Sequence, residues 1–203
     1  MALLTGFDGI IFDYGGVLVH DQTKEDRRRL ADIAGLREDL FTDLYWALRP
    51  DYDKDLVTAA GYWQRVAVAA GEELHPSAIE QLTEFDTTSW MQFDEVMWEW
   101  LEQLRAAGKR LAMLSNMPRD LGDALKTRTR RLGSFDHVTL SYEVRAIKPE
   151  PVIYETCLEG LSLPPERTLF FDDKIANIQA AELLGIRGIQ FTARDEILAR
   201  LLD

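Results

Sequence analysis

The chain has 203 residues, of which 46% are hydrophobic and 29% are charged, and its formal net charge at pH 7 is −12. This length fits one domain with an insert, or two small domains, and is long enough to bury a hydrophobic core. The negative charge argues against a nucleic-acid partner, because phosphate backbones are bound through clustered Lys and Arg.

The single cysteine, Cys157, excludes a disulfide framework and suits a reducing compartment. It follows a helical pattern with Ile153 and Leu161, which favours a core position over a reactive thiol. The first residues carry no basic region or cleavage site of a secretory signal, and no apolar run is long enough to span a bilayer. We therefore expect a cytoplasmic protein with no membrane partner, either a monomer or a homodimer.

Taken in chain order, five short apolar runs predict buried strands. They are GIIF at 9–12, RLAML at 110–114, HVTL at 137–140, TLFF at 168–171 and GIQF at 188–191. Helical patterns alternate with the later runs. This alternation predicts an α/β protein with a parallel sheet and helices on both faces.

Helix boundaries are marked by capping residues and prolines. Asp94 is expected to cap a helix that Gly108 ends, Pro149 and Pro151 to begin a later one, and Gly185 to end the last. The helix after Asp94 carries one apolar stripe, formed by Val96, Met97, Trp100, Leu101 and Leu104.

The stretch from 19 to 92 has no convincing strand and predicts a helical insert after the first strand. We expect about four helices, with breaks near Gly35, Arg49-Pro50, Gly71 and His75-Pro76. Its aromatic residues are expected to form mostly the core of this insert, with one or two of them facing a substrate: Tyr45, Trp46, Tyr52, Tyr62, Trp63 and Trp90. The predicted domains are 1–18 with 93–203 as the sheet domain, and 19–92 as the helical domain.

Polar side chains follow four of the predicted strands, at the edge where open parallel sheets bind ligands. In chain order they are Asp13, Tyr14, Ser115, Asn116, Lys148, Asp172, Asp173 and Asn177. Each alone is typical of a turn, a helix cap or the surface. Their meeting at one edge predicts a functional site.

The residue types suit phosphate chemistry. Asp13 and Asp173 can share a hard cation, which prefers oxygen ligands. Gly15 and the glycine after it allow a close approach of the backbone to an anion. Ser115 can donate a hydrogen bond to a phosphoryl oxygen, and the charge of Lys148 can hold a carboxylate and a phosphate together. Asp13 would then be the nucleophile that forms an aspartyl-phosphate.

Four ordered motifs resemble those of the haloacid dehalogenase superfamily, over residues 7–18 and 93–191. They are IIFDYGGVL, MLSN, IKPEP and FFDDKIAN. The resemblance implies a modified Rossmann sheet with a helical cap. Within the family, the chain is similar to bacterial sugar-phosphate phosphatases and to the phosphatase-like domain of epoxide hydrolases.

The resemblance also implies roles for the site residues. The catalytic residues would be Asp13 and Lys148. The phosphate-binding residues would be Tyr14, Gly15, Ser115, Asn116 and Lys148. The ligands of Mg²⁺ would be Asp13, Gly15 through its carbonyl, and Asp173, assisted by Asp172. Asn177 stands at the position of a second acid and would support the metal ligands.

Gly15 departs from the family pattern, which has an acid two residues after the nucleophile. Loss of this general acid/base removes roughly 3 to 5.5 kcal/mol of transition-state stabilisation. We expect a Mg²⁺-dependent phosphomonoester hydrolase of a small phosphorylated metabolite, with sugar phosphates as candidates and with slow turnover. Among residues near the site, Arg119 and Arg145 are candidates for polar contacts to substrate.

Two other functions remain open. A metal-independent dehalogenase also lacks the second acid, but it needs no pair such as Asp172 and Asp173. A non-catalytic protein that binds a phosphorylated ligand would explain Gly15, but it does not require a nucleophile, a lysine and metal ligands together. A dinucleotide-binding domain is disfavoured, since FDYGGV lacks the GxGxxG pattern.

Overall fold

The computed structural model describes residues 4–194, and a five-stranded sheet lies at its centre. The strands are β1 (Gly9–Phe12), β2 (Arg110–Ser115), β3 (His137–Leu140), β4 (Thr168–Asp172) and β5 (Arg187–Gln190). All pairs are parallel, in the order β3-β2-β1-β4-β5. The predicted α/β class and parallel sheet are confirmed, with β5 one residue earlier than the predicted 188–191.

The inner strands β1, β2 and β4 are buried along almost their whole length, which is why they are apolar runs, whereas the edge strand β5 is largely exposed. On β1, Ile10 and Phe12 belong to one core cluster and Ile11 to another. The ring of Phe12 stacks on Phe171 of β4 and meets Trp100 edge to face, with both centroid distances at 5.5 Å. β1 is therefore fixed between two cores, and its carboxyl end is held in place.

Helices cover the sheet and fill the long connection after β1. Between β1 and β2 lie α1 (Lys24–Ala34), α2 (Glu38–Asp53), α3 (Ala59–Ala69), α4 (Pro76–Ser89) and α5 (Glu95–Ala106). The later helices are α6 (Arg119–Arg128), α7 (Ser141–Val144), α8 (Pro151–Leu161) and α9 (Ile175–Leu183). Among the described residues, no helix combines the length and the apolar character that a membrane crossing requires.

The capping predictions hold for α5, but one residue of its stripe was misplaced. Asp94 accepts hydrogen bonds from the backbone N–H groups of Val96 and Met97, as expected of an N-cap. Val96 itself is 42% exposed, whereas Trp98 is buried and donates to the carbonyl of Leu18. Since one residue turns a helix by about 100°, Val96 lies at the margin of the face centred on Met97.

Helices α1 to α4 pack around their own apolar cluster, which includes Phe41, Tyr62, Trp63 and Leu82. The prediction of a helix break near Arg49-Pro50 is wrong, because α2 continues to Asp53. Pro50 lacks only a donor, its carbonyl still accepts from the backbone of Lys54, and an ion pair from Arg49 to Asp53 stabilises this last turn.

The two connections between these four helices and the sheet run side by side. The N–H of His20 donates to the carbonyl of Gln92 at 2.9 Å, and the N–H of Asp94 donates to Leu18 at 3.0 Å. Val19 and Phe93 form an antiparallel bridge between them. The division into domains at 18/19 and 92/93 stays a prediction, and parts of its outer bounds, 1–3 and 195–203, lie outside the described residues.

Candidate active site

Lys148 is the centre of the polar cluster at the carboxyl edge of the sheet. Its Nζ lies 2.7 Å from Oδ1 of Asp13 and 2.7 Å from Oδ2 of Asp172. The lysine is 4% exposed, and its Nζ also donates to the carbonyl of Leu114 at 3.0 Å. The loop between α7 and α8 thus brings one positive charge between the carboxylates at the ends of β1 and β4.

Asn116 fixes the backbone that carries this lysine. Its side-chain NH₂ donates to the carbonyl of Lys148 at 3.0 Å, and its side-chain oxygen accepts from the N–H of Lys148 at 2.7 Å. Both ends of the amide are engaged with one residue, so the geometry gives Asn116 the task of positioning Lys148. Its predicted phosphate-binding role stays a prediction.

Asp172 is fully buried, and hydrogen bonds saturate its carboxylate. Oδ1 accepts from the N–H of Lys174 at 2.8 Å, and Oδ2 accepts from Lys148. The side-chain NH₂ of Asn177 lies 2.9 and 3.0 Å from the two oxygens. With so many donors, Asp172 is suited to orient Lys148 more than to release an oxygen for a cation.

Asp173 differs, because its carboxylate accepts no hydrogen bond from any residue between 4 and 194. Gly16, at φ +70°, approaches it closely, since a Cβ at Gly16 would lie 3.4 Å from Cγ of Asp173. One carboxylate oxygen each from Asp13, Asp172 and Asp173 lie within 4.8 Å of one another. The three carboxylates carry more negative charge than the single positive charge of Lys148 can neutralise. This excess favours a divalent cation with oxygen ligands, so the residues fit Mg²⁺.

The electrostatics at Asp13 support the same conclusion. Burial raises the pKa of Asp13 to about 7, the charge of Lys148 opposes this rise, and the charges of Asp172 and Asp173 add to it. Burial lowers the pKa of Lys148, but the two adjacent carboxylates outweigh it and the pKa lies above its usual value. The lysine stays charged, whereas Asp13 needs more positive charge nearby to ionise fully at neutral pH.

A cavity of about 780 Å³ opens between this edge and a wall formed by α1, α2 and Trp90. From the sheet side it is lined by the predicted residues Asp13, Tyr14, Gly15, Ser115, Asn116, Lys148, Asp173 and Asn177. Asp172 lies behind them. The hydroxyl of Ser115, at the end of β2, has no partner among residues 4–194 and can donate to a ligand in the cavity.

The opposite wall contains residues that sequence reasoning missed. Arg49 is buried and donates to Asp53 at 2.8 Å and to Asp86 at 3.0 Å, and it also contacts the hydroxyl of Tyr45. Gln22 donates to Asp86 at 2.9 Å. Gln22, Arg49 and Asp53 line the cavity. The i,i+4 spacing of Arg49 and Asp53 was a usable signal for the ion pair, but nothing in the sequence indicated which way the pair faces.

Among the aromatic residues of 19–92, the structure separates core from cavity. Four of them are buried in or against the helical cluster: Tyr45, Tyr52, Tyr62 and Trp63. Trp46 and Trp90 line the cavity, with exposed fractions of 44% and 9%. The expectation that one or two aromatic residues face the site agrees with this arrangement.

Arg119 and Arg145 are not placed as the sequence suggested. Arg119 makes a two-pronged ion pair with Asp55, at 3.0 and 2.6 Å, and neither arginine belongs to the described cavity lining. Cys157 is buried in the core, as expected, and burial raises the pKa of its thiol to about 12. These three residues therefore lie outside the candidate site.

Comparisons with known proteins identify the family of the chain. The family model for haloacid dehalogenase-like hydrolases matches residues 7–185. Protein CbbY of Rhodobacter capsulatus is 27% identical over 208 residues, which cover 94% of this chain and 89% of that protein. A phosphorylated carbohydrates phosphatase of Thermotoga maritima is 34% identical over 94 residues, 45% of this chain and 42% of that protein.

A solved structure shows how closely the fold matches. It is a HAD family enzyme from Bacteroides thetaiotaomicron, the wild-type protein in complex with magnesium and inorganic phosphate. The TM-score is 0.73 at 23% identity, over 91% of this chain and 93% of that one. At this identity the likeness concerns the fold.

Proposed function

The chain belongs to the haloacid dehalogenase-like hydrolases, and from this premise we propose that it is a Mg²⁺-dependent phosphomonoester hydrolase. Its substrate would be a small phosphorylated metabolite, with sugar phosphates as the first candidates. The single observation that carries the proposal is the position of Lys148, 2.7 Å from both Asp13 and Asp172, beside an Asp173 whose carboxylate accepts no hydrogen bond within residues 4–194. The phosphatase and the magnesium–phosphate complex among the similar proteins support it.

In the proposed reaction Asp13 is the nucleophile. Its Oδ1 accepts from Lys148 and from the N–H of Tyr14 at 2.6 Å, which leaves Oδ2 to attack phosphorus. The bond from phosphorus to the leaving oxygen breaks, and water later hydrolyses the aspartyl-phosphate. Ser115 donates to a phosphoryl oxygen, and Lys148 stabilises the negative charge that gathers beside Asp13.

Mg²⁺ would be held by the carboxylates of Asp13 and Asp173 and by the carbonyl of Gly15. When bound, it supplies positive charge that offsets the carboxylates and the phosphate. A dehalogenase needs no such charge, and the three clustered carboxylates therefore favour phosphate chemistry. The proposal includes neither a nucleic acid nor a membrane as partner, and it includes a cytoplasmic location, supported by the net charge of −12 and the single cysteine.

A phosphatase screen tests this function. We expect hydrolysis of p-nitrophenyl phosphate, and of one or more sugar, nucleotide or amino-acid phosphates, in Mg²⁺ and none in EDTA. Asp173→Asn should need a higher Mg²⁺ concentration for half-maximal rate, because one anionic ligand is lost. Asp21→Asn is the matched control, since Asp21 is an exposed acid that lines the same cavity.

Two results would contradict the assignment. Full activity in EDTA, together with halide release from 2-haloacids, would favour the dehalogenase. An unchanged Mg²⁺ titration in Asp173→Asn would remove that residue from the metal site.

A further inference from the structure

Gly15 stands where the family pattern has an acid, and the backbone conformation at this position does not require glycine. The φ of Gly15 lies outside the left-handed region, unlike that of Gly16 at +70°. An L-residue could therefore adopt this conformation without strain. The reason for glycine must lie in what surrounds it.

The surrounding group is the indole of Trp90, 75 residues further along the chain. A Cβ built on Gly15 would lie 3.3 Å from Cζ3 of Trp90 and 3.9 Å from both Cε3 and Cη2. The 3.3 Å distance is tighter than about nine in ten real Cβ contacts, so even alanine requires the ring to move by a few tenths of an ångström. A longer side chain at position 15 would have to extend past the same ring.

The indole is held from several sides. Its Nε1 donates to the hydroxyl of Tyr45 at 3.1 Å, and the carbonyl of Trp90 accepts from the hydroxyl of Tyr14 at 2.8 Å. Its ring meets that of Trp46 edge to face, with centroids 6.2 Å apart and an interplanar angle of 78°. Moving the ring away from Gly15 would break or strain these contacts, so the steric wall is firm.

We propose that Trp90 is a specificity-determining residue: its indole occupies the volume of a residue-15 side chain and forms the surface against which the leaving group of the substrate lies. This inference rests on the proposed phosphatase function. The indole N–H is already engaged with Tyr45, so the wall offers the leaving group a hydrocarbon surface and no acidic proton at this position.

The chemical consequence concerns the substrate class. As Oδ2 of Asp13 forms its bond to phosphorus, the electron pair of the breaking bond goes to the leaving oxygen, which departs as an anion and takes its proton from water. Such a site favours phosphate esters whose leaving group is a stabilised anion with an apolar face. Esters of ordinary alkyl alcohols, which include sugar phosphates esterified at an alkyl hydroxyl, are disfavoured, because a general acid contributes about 10²- to 10⁴-fold for them. The inference therefore narrows the sugar phosphates of the proposed function to those whose leaving group is a stabilised anion.

The steric part is tested by stability, without any assay of activity. Gly15→Ala should lower the urea midpoint of the otherwise native protein. In a Trp90→Leu background the same change should leave the midpoint unchanged or raise it, because alanine restricts the unfolded chain. Trp90→Phe serves as a second background if Trp90→Leu does not fold. An equal effect of Gly15→Ala in all backgrounds would overturn the steric claim.

The chemical part is tested with a series of para-substituted phenyl phosphates in Mg²⁺. For the native enzyme, kcat/KM should fall about hundredfold or more from p-nitrophenyl to phenyl phosphate. In Gly15→Asp alone, the ratio of kcat/KM between p-nitrophenyl phosphate and phenyl phosphate should stay as large as in the native enzyme. In Gly15→Asp with Trp90→Leu, this ratio should become smaller. Gly15→Asp with Leu121→Ala is the matched control, since Leu121 lines the same cavity but is not among the groups near a Cβ at Gly15, and it should behave as Gly15→Asp alone.

Each outcome decides between the two proposals. If kcat/KM of the native enzyme varies little across the phenyl phosphates, the inference is contradicted and the phosphatase function is not. A reduced fall in Gly15→Asp alone also contradicts it, because the indole would then be no obstacle. Absence of hydrolysis across the whole series contradicts both the phosphatase function and the leaving-group preference.

Discussion

At the scale of single residues, Asp13 is buried, whereas the proposed reaction requires its carboxyl group to be ionised. Its pKa is raised by burial to about 7 from an ordinary value of 3.8. For an acid raised in this way, the folded state without metal favours the protonated form. The stability gained from that form is present below the ordinary pKa and is lost as the pH rises from about 4 through about 7.

This linkage predicts an unusual effect of Asp13→Asn on stability. Asparagine cannot ionise, so the variant does not lose the stability that the native protein loses as Asp13 ionises. In EDTA, the free energy of unfolding of the variant minus that of the native protein should therefore increase from about pH 5 to about pH 8. Urea unfolding at the two pH values measures this difference. Asp55→Asn is the control: the hydrogen bond from Arg119 lowers the pKa of Asp55, so its contribution to stability is fully present above its ordinary pKa and the difference should stay constant between the two pH values.

A difference for Asp13→Asn that stays constant between the two pH values would contradict the raised pKa. Added Mg²⁺ should favour the native protein over the variant, because a nearby cation lowers the cost of ionising Asp13.

At the scale of elements, the end of α2 is tied to the sheet side of the cavity. The hydroxyl of Tyr52 donates to Asp120 of α6 at 2.8 Å, and the hydroxyl of Ser141 in α7 donates to the carbonyl of Asp53 at 2.6 Å. The ion pair of Arg119 with Asp55 lies in the same region, and Lys54 pairs with Glu150. These contacts hold the helical wall of the cavity over the catalytic edge.

Tyr52→Phe tests whether these ties matter for substrate binding. Removing the hydroxyl should lower the free energy of unfolding by about 1 kcal/mol and raise KM, because the cavity then opens more readily. Tyr62→Phe is the matched control, since its hydroxyl donates at 2.8 Å to the carbonyl of Tyr45 within the four helices. It should cost similar stability with KM unchanged.

Urea unfolding and steady-state kinetics with p-nitrophenyl phosphate separate the two variants. If both raise KM equally, or if neither does, the contact between Tyr52 and Asp120 has no special role in closing the cavity.

At the scale of the whole molecule, the sheet edge could be predicted from sequence, because parallel strands bring their carboxyl ends together. Asp13, Lys148 and Asp173 were predicted to meet on this basis, since each follows a strand that local pattern reveals. All four predicted residues of β1 are confirmed, β2 and β4 extend one residue beyond the predicted runs, and β5 begins one residue earlier. The roles of these residues in the reaction stay predictions.

The opposite wall could not be predicted, because it depends on how four helices pack. Gln22 reaches Asp86 across 64 residues, and Tyr14 reaches Trp90 across 76. No local pattern encodes contacts of this range. The same limit applies to Pro50, where local propensity predicted a break but the helix continues and Arg49 pairs with Asp86 of α4.

The most direct test of the whole account is to trap the covalent intermediate. The protein is mixed with p-nitrophenyl phosphate and Mg²⁺, quenched in acid within the first turnovers, digested, and analysed by mass spectrometry. We predict one phosphoryl group on the peptide that contains Asp13, and none on that peptide, with no hydrolysis, in Asp13→Asn. Undiminished hydrolysis by Asp13→Asn, or a phosphoryl group on another residue, would contradict Asp13 as the nucleophile.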